Sequence, residues 1–383
     1  MEHIYMDHAA TSPIHPRVIK KMYEVMHTVY GNPSSIHLLG RQARKIIDDA
    51  RKSLATIIGA YESEIIFTSG GTEADNHAIF GIAESYQDKG KHIITTEIEH
   101  HAVLHACKEL ENKGFDVTYL PVNECGVINV EDLRKALRDD TILVTIMYGN
   151  NEVGTIQPIK EIGKILKGHQ ALFHTDAVQA FGIEGIHVQE QHIDLLSVSS
   201  HKINGPKGIG FLYLKSGIKL SPRLFGGEQE RKRRAGTENV PAVAGFQLAA
   251  EIAIAERQER RQSYKVFREI LLQTLKENKI SFKENGSVEH MLPHVLNLSI
   301  SGTNVEALLV NLDLAGIAAS SGSACTAGSL DPSHVLVSMF GKNSERTKNS
   351  IRFSFGLNNT EAQIKKVGLE LSKIVLRLRD KGR

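Results

Sequence analysis

A lysine near the middle of the chain stands where a buried strand is predicted to end. Lys202 comes after the apolar run Leu195–Val198, with Ser199 and His201 between them. An amine at the mouth of a buried strand is partly desolvated, and a desolvated lysine can form a Schiff base with a carbonyl compound. A solvated lysine is the alternative for this position. Lys207 is a competitor, but it lies in a Gly-Pro turn, which more often projects into solvent.

A glycine turn ahead of a helix is a candidate anion site. The segment Phe67–Asn76 reads FTSGGTEADN, so a strand ends, two glycines turn the chain and Thr72 precedes an acidic helix start. Free N–H groups at a helix N-terminus bind anions, and glycine lets a phosphate approach closely. The alternative is an ordinary cap by Thr72, with Glu73 in the first turn. The loop does not match the dinucleotide or P-loop patterns, which disfavours both kinds of site.

A carboxylate follows another predicted strand. Asp176 comes just after Ala171–His174, and ligands of open parallel sheets gather outside the carboxyl ends of the strands. Asp176 could hold a protonated ring nitrogen there, and a helix-capping aspartate is the alternative. An anion loop, a strand-end aspartate and a strand-end lysine follow one another in this order. Pyridoxal 5′-phosphate (PLP) needs these three partners, so their combination predicts a PLP site.

One of the three cysteines is placed to react. Cys325 lies in Ala318–Ser329, a run of small residues that predicts a mobile, accessible segment. An inert surface thiol is the alternative. Cys107 has helical spacing from Val103 and is expected in the core, whereas Cys125 lies in a turn and has no expected role.

Two further residues could contact a cofactor or a substrate. His100 follows the strand-like run HIITT, where it could stack on a ring and move protons, unless it is a capping or surface residue. Arg352 lies among apolar residues and could bind a substrate carboxylate in a bidentate manner, with a structural ion pair as the alternative. The basic run Arg231–Arg234 predicts a solvated or subunit-contact loop, or else a docking site for an acidic partner or tRNA.

The elements that position these residues alternate along the chain. Short β-branched runs alternate with helical patterns through the central region, which predicts an α/β domain with a largely parallel sheet that is covered on both faces. Val243–Asn278 reads as one long, charged connecting helix, and the strands and helices after it predict a smaller α+β domain. The expected division is residues 15–257 for the large cofactor-binding domain, and residues 1–14 with 258–383 for the small domain that carries the cysteine segment.

Composition indicates an ordinary globular protein. The chain has 383 residues, 41% hydrophobic and 23% charged, which suggests two or three domains with sizeable cores. A net charge of +2 gives no general attraction to DNA or membranes. The N-terminus lacks the pattern of a signal peptide, and no apolar run reaches about 18 residues, so the cytoplasm is the expected location. Three scattered cysteines do not form a disulfide framework or a zinc pattern, and no resident metal is expected.

The motifs together resemble those of the NifS/IscS-type cysteine desulfurases, PLP enzymes of the class V aminotransferase family with the aspartate-aminotransferase fold (PLP fold type I). That fold implies a mostly parallel, seven-stranded type of sheet in the large domain and a smaller α+β C-terminal domain. They span nearly the whole chain in the family's order. The matching segments are Tyr5–Pro13, Gly31–His37, Thr68–Asn76, Glu99–Leu104, Asn150–Gly154, His174–Gln179, Ser199–Lys202, Gly205–Gly210, Arg234–Asn239, Ser320–Thr326 and Ser350–Gly356.

The resemblance implies how the cofactor is held. Lys202 would form the Schiff base, Asp176 would pair with the pyridine nitrogen and Gln179 would bond the phenolic oxygen. His100 would stack on the ring and act as acid and base, and Asn151 would contact the cofactor. The residues implied in holding the phosphate are Gly71, Thr72, Ser199 and His201, together with Thr237, which in this family reaches the site of the partner subunit.

The resemblance also implies the reaction. L-cysteine would be held through its carboxylate by Arg352 and Asn151, and Cys325 would take its sulfur as a persulfide, leaving L-alanine. The sulfur would pass to an acceptor protein, either an iron–sulfur scaffold or a tRNA thiouridylase. Cys325 is also a potential transient ligand of an iron–sulfur cluster. A homodimer with shared sites and the mobile-loop branch of the family are implied.

Two other functions and one departure accompany this interpretation. A different PLP enzyme on the same fold, an aminotransferase or a selenocysteine lyase, is the first alternative. A catalytically idle scaffold in which Cys325 senses redox state is the second. Ser200 stands where the family usually has glycine, and its side chain would crowd the turn if the backbone there has a positive φ.

Overall fold

The computed structural model describes residues 3–322 and 332–381, so Cys325 and its predicted mobility lie outside the described residues. The strands are β1 (Ile4–Tyr5), β2 (Ile65–Thr68), β3 (His92–Thr96), β4 (Asp116–Leu120), β5 (Thr141–Thr145), β6 (Leu172–Asp176), β7 (Leu195–Ser199), β8 (Gly210–Leu214), β9 (Phe282–Asn285), β10 (Val295–Ile300), β11 (Ile317–Ala318) and β12 (Ser350–Ser354).

The helices are α1 (Pro16–Thr28), α2 (Leu38–Ile58), α3 (Gly71–Tyr86), α4 (His101–Asn112), α5 (Val130–Ala136), α6 (Ile159–Leu166), α7 (Gln229–Lys232), α8 (Val240–Ala255), α9 (Arg257–Glu277), α10 (Val305–Leu314), α11 (His334–Phe340), α12 (Arg346–Asn349) and α13 (Glu361–Lys381). Short 3₁₀ turns cover Glu62–Glu64 and Ser200–Lys202.

A seven-stranded sheet forms the centre of the larger part of the molecule. Its strand order is β2-β8-β7-β6-β5-β3-β4. The pairs from β7 to β4 are parallel, whereas β8 is antiparallel to both of its neighbours. Every residue of β3, β5 and β7 is buried, as in parallel sheets that are covered on both faces. The predicted mostly parallel α/β sheet is confirmed.

Different helices cover the two faces of this sheet. The apolar residues of α3 and α4 pack with Leu143 of β5 in one cluster, and this cluster contains Cys107, as its helical spacing predicted. On the other face α8 packs against α1 and α2. Because the carboxyl ends of the parallel strands share one edge, the residues that end β6 and β7 are brought together there.

The prediction of one continuous connecting helix over Val243–Asn278 is wrong. Two helices, α8 and α9, replace it, and they are separated at Glu256, where φ is −94° and ψ is 2°. Helix α8 is almost wholly apolar and is buried against the large sheet, whereas α9 is charged and packs on α13 of the smaller part. The two helices have different packing partners, so the chain bends between them although it has no proline or glycine there.

The smaller part is an α+β structure, as predicted. It has a three-stranded antiparallel sheet in the order β12-β10-β9, and β1 pairs with β11 in parallel. Residues from both chain ends share its hydrophobic core, which includes Ile4 and Met6 together with Leu271 and Phe353. This arrangement agrees with the expected division near residue 257, which stays a prediction. In the described ranges no helix is long and apolar enough to cross a membrane.

Candidate active site

One cavity of about 480 Å³ lies where the two parts of the molecule meet. Its size is typical of cofactor and small-molecule sites. The residues that line it are Ala9, Ala10, Gly71, Thr72, Asp75, His100, Met147, Asn151, Asp176, Val178, Gln179, Ser199, His201, Lys202, Gly322 and Arg352. Every predicted site residue that the structure describes is in this set, with the exception of Thr237.

Lys202 enters the cavity from the turn that follows β7. Its Nζ donates hydrogen bonds to the carbonyl oxygens of Ala9, at 2.5 Å, and Ala10, at 2.7 Å. The N-terminal segment therefore lies against the Lys202 side chain and holds its amine at the cavity. Lys207, the competitor from the sequence, is exposed. The positions of the two lysines favour Lys202 as the covalent attachment point.

Asp176 is the last residue of β6 and is 6% exposed. Its Oδ1 accepts a hydrogen bond from the Val178 N–H at 2.9 Å, and burial raises the pKa of the carboxyl to about 6. Asp75 lies nearby, and burial together with the charge of Asp176 raises its pKa as well. When one of these two buried carboxyls is ionised, its negative charge disfavours ionisation of the other. A cationic ring nitrogen in the cavity would stabilise the ionised form of both.

The glycine turn opens directly onto the cavity. Helix α3 begins at Gly71 with Gly70 as its N-cap, and in the described part of the chain no side-chain hydrogen bond caps it. The alternative cap by Thr72 is therefore wrong. Gly70 has a φ of +150°, and a Cβ added at Gly71 would lie 2.8 Å from Val178 Cγ2. The uncapped N-terminus presents backbone N–H groups next to Ser199 and His201, an arrangement suited to a phosphate.

His100 is held by the helix that it begins. Its Nδ1 accepts a hydrogen bond from the Ala102 N–H at 3.1 Å, so the capping alternative is realised. The proton of the neutral ring must then be on Nε2. Burial, reinforced by the positive charge of Lys202, lowers the pKa of His100 to about 4. The imidazole is therefore neutral near pH 7, and its one lone pair, on Nδ1, can accept a proton during turnover only after Nδ1 releases the Ala102 N–H.

Arg352 lines the cavity, as expected for a residue that binds a substrate carboxylate. It also forms a structural ion pair, which was the alternative prediction for this residue. It is 1% exposed, and its Nη2 donates to Asp7 Oδ1 at 2.7 Å while Nη1 donates to the Asn151 carbonyl at 2.8 Å. Nε–H has no hydrogen-bond partner among the residues described here. A substrate carboxylate would therefore bind a guanidinium that these two hydrogen bonds already hold in position.

Gln179 is oriented from two sides. Its Nε2 donates to the Ala9 carbonyl at 2.9 Å, and its Oε1 lies 3.4 Å from Nε2 of the buried His294.

The φ of Ser200 is not positive, so a serine fits this backbone. Its hydroxyl is tightly enclosed, since a Cβ added at Gly205 would lie 2.0 Å from Ser200 Oγ. The substitution of serine for glycine is thus accommodated by a glycine opposite.

Thr237 is the predicted site residue that the structure does not bring to the cavity. It is exposed in a loop that is tied to the glycine turn by the ion pair between Arg234 and Glu73, at 2.8 Å. Glu73 also accepts a hydrogen bond from the Ser69 N–H at 2.7 Å. The loop thus has a fixed position next to the phosphate side of the site, but Thr237 does not line its own chain's cavity.

Comparison with known proteins agrees with this geometry. Residues 4–367 match the family Aminotransferase class-V. The chain belongs to the class V aminotransferases. It is 60% identical over 378 residues to the "Putative cysteine desulfurase IscS 1" of Bacillus subtilis (strain 168), covering 99% of this chain and 100% of that one. It is 50% identical to the "Cysteine desulfurase IscS" of Methanosarcina thermophila, covering 98% and 93%. A solved structure of a "NIFS-LIKE PROTEIN" has a TM-score of 0.92 at 35% identity, covering 98% of this chain and all of that chain.

These matches confirm the predicted resemblance, the PLP fold type I and the PLP cofactor of this class V aminotransferase. The cavity fits that cofactor. It combines a half-buried lysine amine, a buried aspartate and an uncapped helix N-terminus, which match the aldehyde, the ring nitrogen and the phosphate. The individual role of each residue stays a prediction.

Several residues of the site were not predicted. Asp75 has no hydrogen-bond partner for Oδ1 in the described part of the chain and lies 3.7 Å from His174 Nε2. Asp75 is the third residue after Thr72, in the predicted acidic start of a helix. Acidic residues are common at such positions, so its type did not identify it as a site residue. Asp7 and His294 reach the site residues from distant parts of the sequence, which short-range patterns do not relate.

The buried aspartate predicts the pH dependence of cofactor binding. A raised pKa means that the cofactor-free site takes up a proton as pH falls through about 6, and this proton must leave before the carboxylate can pair with a cationic ring. We expect PLP affinity to fall by up to about tenfold per pH unit below 6, and Asp176→Asn to weaken binding about 10–100-fold while removing this component.

The measurement is titration of cofactor-free protein with PLP from pH 5 to 8. Asp139→Asn, at an exposed aspartate, is the control and should behave as the parent. An Asp176→Asn protein with parental affinity and parental pH dependence would show that Asp176 does not pair with the ring.

Proposed function

We propose that this chain is a cysteine desulfurase, which converts L-cysteine to L-alanine and leaves the sulfur on Cys325. The observation that carries the proposal is the convergence of Lys202, Asp176 and the uncapped start of α3 on one cavity. The relatives named as cysteine desulfurases match the chain over nearly its full length, which supports the same activity for this protein.

The residues of the cavity divide into those that hold the cofactor and those that hold the substrate. Lys202 would attach PLP covalently, Asp176 would pair with its ring nitrogen and Gln179 would bond its phenolic oxygen. The phosphate would be bound by Gly71, Thr72, Ser199 and His201. When bound, PLP supplies an electron sink for the bonds around the amino acid's Cα and Cβ.

Substrate orientation depends on Arg352 and Asn151. The carboxylate of cysteine would bind the Arg352 guanidinium, whose plane is fixed by Asp7 and by the Asn151 carbonyl. Fixing the amino acid at its carboxylate directs its side chain toward the other residues of the cavity. Lys202 would move protons at the substrate carbons, and His100 would take the proton of a thiol on Nδ1 after this atom releases the Ala102 N–H.

The sulfur transfer is a displacement at sulfur that needs no external oxidant. The Cys325 thiolate attacks the sulfur of cysteine, the carbon–sulfur bond breaks, and its electron pair stays on carbon, which takes a proton to give alanine. Few thiols of ordinary pKa are ionised at pH 7, so a nearby base assists the attack. Gly322 lines the cavity, and Cys325 follows it by three residues, a length of chain that spans at most about 11 Å.

A homodimer is part of the proposal. Exposed large apolar side chains are concentrated between residues 19 and 38, and exposed apolar surface of this kind marks protein–protein interfaces. They are Ile19, Tyr23, Met26, Tyr30, Ile36 and Leu38. Thr237 is exposed and does not line its own cavity. A second copy that covers the apolar stretch and receives Thr237 at its phosphate site would account for both features.

Subunit mixing tests the shared site. Lys202→Ala and Thr237→Ala chains should each be weakly active or inactive, and a heterodimer would contain one site with both residues intact. After complete exchange we expect about one quarter of parental activity, since half of the dimers are mixed and each has one good site. Thr11→Ala, at a residue that contacts His201 within the same chain, should not be complemented in this way by Lys202→Ala. Proven exchange without recovery would contradict sharing.

The sulfur acceptor and the location complete the proposal. An acceptor protein takes the sulfur of the persulfide, and an iron–sulfur scaffold and a tRNA thiouridylase are both compatible with the basic run Arg231–Arg234, in which Arg231 and Lys232 are exposed. Reduced thiols and the absence of a membrane-spanning helix from the described ranges support a cytoplasmic location.

Product analysis distinguishes this function from the alternatives. A desulfurase releases one alanine per sulfur from cysteine in the presence of a thiol reductant and needs no amino acceptor. An aminotransferase instead converts amino acids to 2-oxo acids and requires a 2-oxo acid partner, and an idle scaffold gives no product. Alanine that appears only with an added 2-oxo acid would contradict the proposal.

A further inference from the structure

Both ends of the cysteine-bearing segment meet one buried carboxyl group. Ser333, just after the segment 323–331, donates a hydrogen bond from Oγ to Glu152 Oε2 at 2.5 Å. Gly322, just before the segment, packs against the same group, since a Cβ added there would lie 2.8 Å from Glu152 Oε2. The same oxygen atom thus accepts a hydrogen bond from the chain after residues 323–331 and leaves no room for a side chain at the residue before them.

The chain leading into the segment is held firmly. Ser320 and Arg352 exchange two backbone hydrogen bonds, of 3.2 and 2.7 Å, and the Gly322 N–H donates to Ser320 Oγ at 3.2 Å. Gly322 has a φ of +96°, so it turns in a conformation that favours glycine, with its backbone directly against the carboxyl. This entry side is therefore joined to the strand that carries Arg352.

The chain leaving the segment is held by the same serine that starts α11. Ser333 Oγ accepts a hydrogen bond from the Leu336 N–H at 3.2 Å while it donates to Glu152. One hydroxyl thus caps the helix and ties its start to the carboxyl. Among the described residues, no other side-chain hydrogen bond joins the exit side to the turn that contains Glu152.

Glu152 is itself fixed beside the cavity. It is 2% exposed, and its N–H donates to Asn150 Oδ1 at 2.8 Å, in the turn that also places Asn151 at the cavity wall. Burial raises the pKa of Glu152, although Arg352 and His101 oppose this effect. Burying a carboxyl is costly unless its oxygens are hydrogen-bonded, and here the bond goes to the end of the cysteine segment.

We propose that Glu152 is a positioning residue, whose carboxyl holds together the two ends of the segment that carries Cys325 and keeps them at the cavity. Closing the two ends at one point restricts the volume that the thiol can visit, and so raises its effective concentration at the substrate sulfur. The consequence for sulfur transfer rests on the proposed function, whereas the tether itself does not.

The tether is tested by hydrogen exchange of the cofactor-free protein. In Glu152→Ala we expect the backbone amides of Gly322 and of Leu336–Val337 to exchange at least about tenfold faster, because both ends lose their anchor. Glu152→Gln keeps an oxygen that can accept from Ser333 and should remain within about threefold of the parent. The control is Glu161→Ala, at an exposed acid on α6, which should leave these amides unchanged.

The effect on transfer is measured with the holoenzyme. We expect Glu152→Ala to slow formation of the Cys325 persulfide about tenfold or more, while the change in cofactor absorbance on adding cysteine keeps its rate within about twofold. Glu152→Gln should restore transfer. Unchanged exchange in Glu152→Ala, or faster exchange with parental transfer, would overturn the proposal. A parent that forms no persulfide would refute the proposed function and leave the exchange experiment valid.

A second pair of variants covers the case in which Glu152→Ala does not fold. Ser333→Ala removes the exit tether together with the cap of α11, and Asn304→Ala removes only a cap, that of α10. We expect Ser333→Ala to slow persulfide formation at least about fivefold and Asn304→Ala to leave it unchanged. Equal effects of the two variants would show that Ser333 acts as a helix cap alone, and would overturn the proposal.

Discussion

Replacing Lys202 with alanine is expected to abolish turnover with cysteine, by at least about 10³-fold. Lys202 combines two functions, covalent attachment of the cofactor and proton movement at the substrate, and proton transfer by a positioned group alone contributes about 10²–10⁴-fold. Its amine is directed into the cavity by the carbonyl oxygens of Ala9 and Ala10. Water that replaces the Lys202 side chain cannot attach the cofactor covalently, and it does not replace a positioned amine in moving protons at the substrate.

Lys207→Ala is the matched control, because this lysine is five residues away and exposed. Lys207 borders the phosphate side of the site beside Ser199 and His201, so Lys207→Ala keeps the point of covalent attachment and should retain more than a tenth of parental turnover. Borohydride treatment should fix PLP on the peptide that contains Lys202 in the parent and in Lys207→Ala, and on no peptide in Lys202→Ala. Label on the peptide with Lys207, or a Lys202→Ala protein with more than a tenth of parental turnover, would contradict the assignment.

Replacing Cys325 with alanine is expected to abolish sulfur transfer while PLP binding stays within about twofold of the parent. The thiolate is the nucleophile in the proposed displacement, and alanine offers no atom that can accept sulfur. The other cysteines cannot substitute for it. Cys107 is fully buried and burial raises its pKa to about 12, and Cys125 is exposed in the turn before Gly126 and does not line the cavity.

Cys125→Ala is the control for this experiment and should transfer sulfur at the parental rate. The absorbance change of the cofactor on adding cysteine should persist in Cys325→Ala, because binding of the amino acid does not use the enzyme's thiol. Full desulfuration by Cys325→Ala would point to an enzyme that does not need the thiol, such as a selenocysteine lyase. Loss of PLP from Cys325→Ala would show that the residue has a structural part in the site.

The residues that the sequence predicted best are those at the ends of buried strands. Asp176 and Lys202 are each positioned by the strand just before them, and parallel strands place such residues at one edge. The chemistry of the cavity could therefore be proposed from short segments. The glycine turn was predicted for the same reason, although the helix starts at Gly71 without the expected threonine cap.

The features that the sequence did not predict depend on tertiary packing. The bend at Glu256 occurs because α8 and α9 pack on different parts of the molecule, and no local residue marks it. The ion pair of Arg352 with Asp7 joins residues 345 positions apart. The contact of Glu152 with Ser333 likewise spans 181 positions. A single glutamate in a polar turn forms no sequence pattern that would predict its burial.

The central claim is that this cavity moves sulfur from cysteine to Cys325, and mass spectrometry of the protein after one turnover tests it most directly. Holoenzyme mixed with one equivalent of cysteine, without reductant, should release one alanine per active site. The peptide that contains Cys325 should gain about 32 mass units, one sulfur atom, and lose them on reduction. Alanine without this mass gain, or a gain on the peptides of Cys107 or Cys125 while that of Cys325 stays unmodified, would contradict the account.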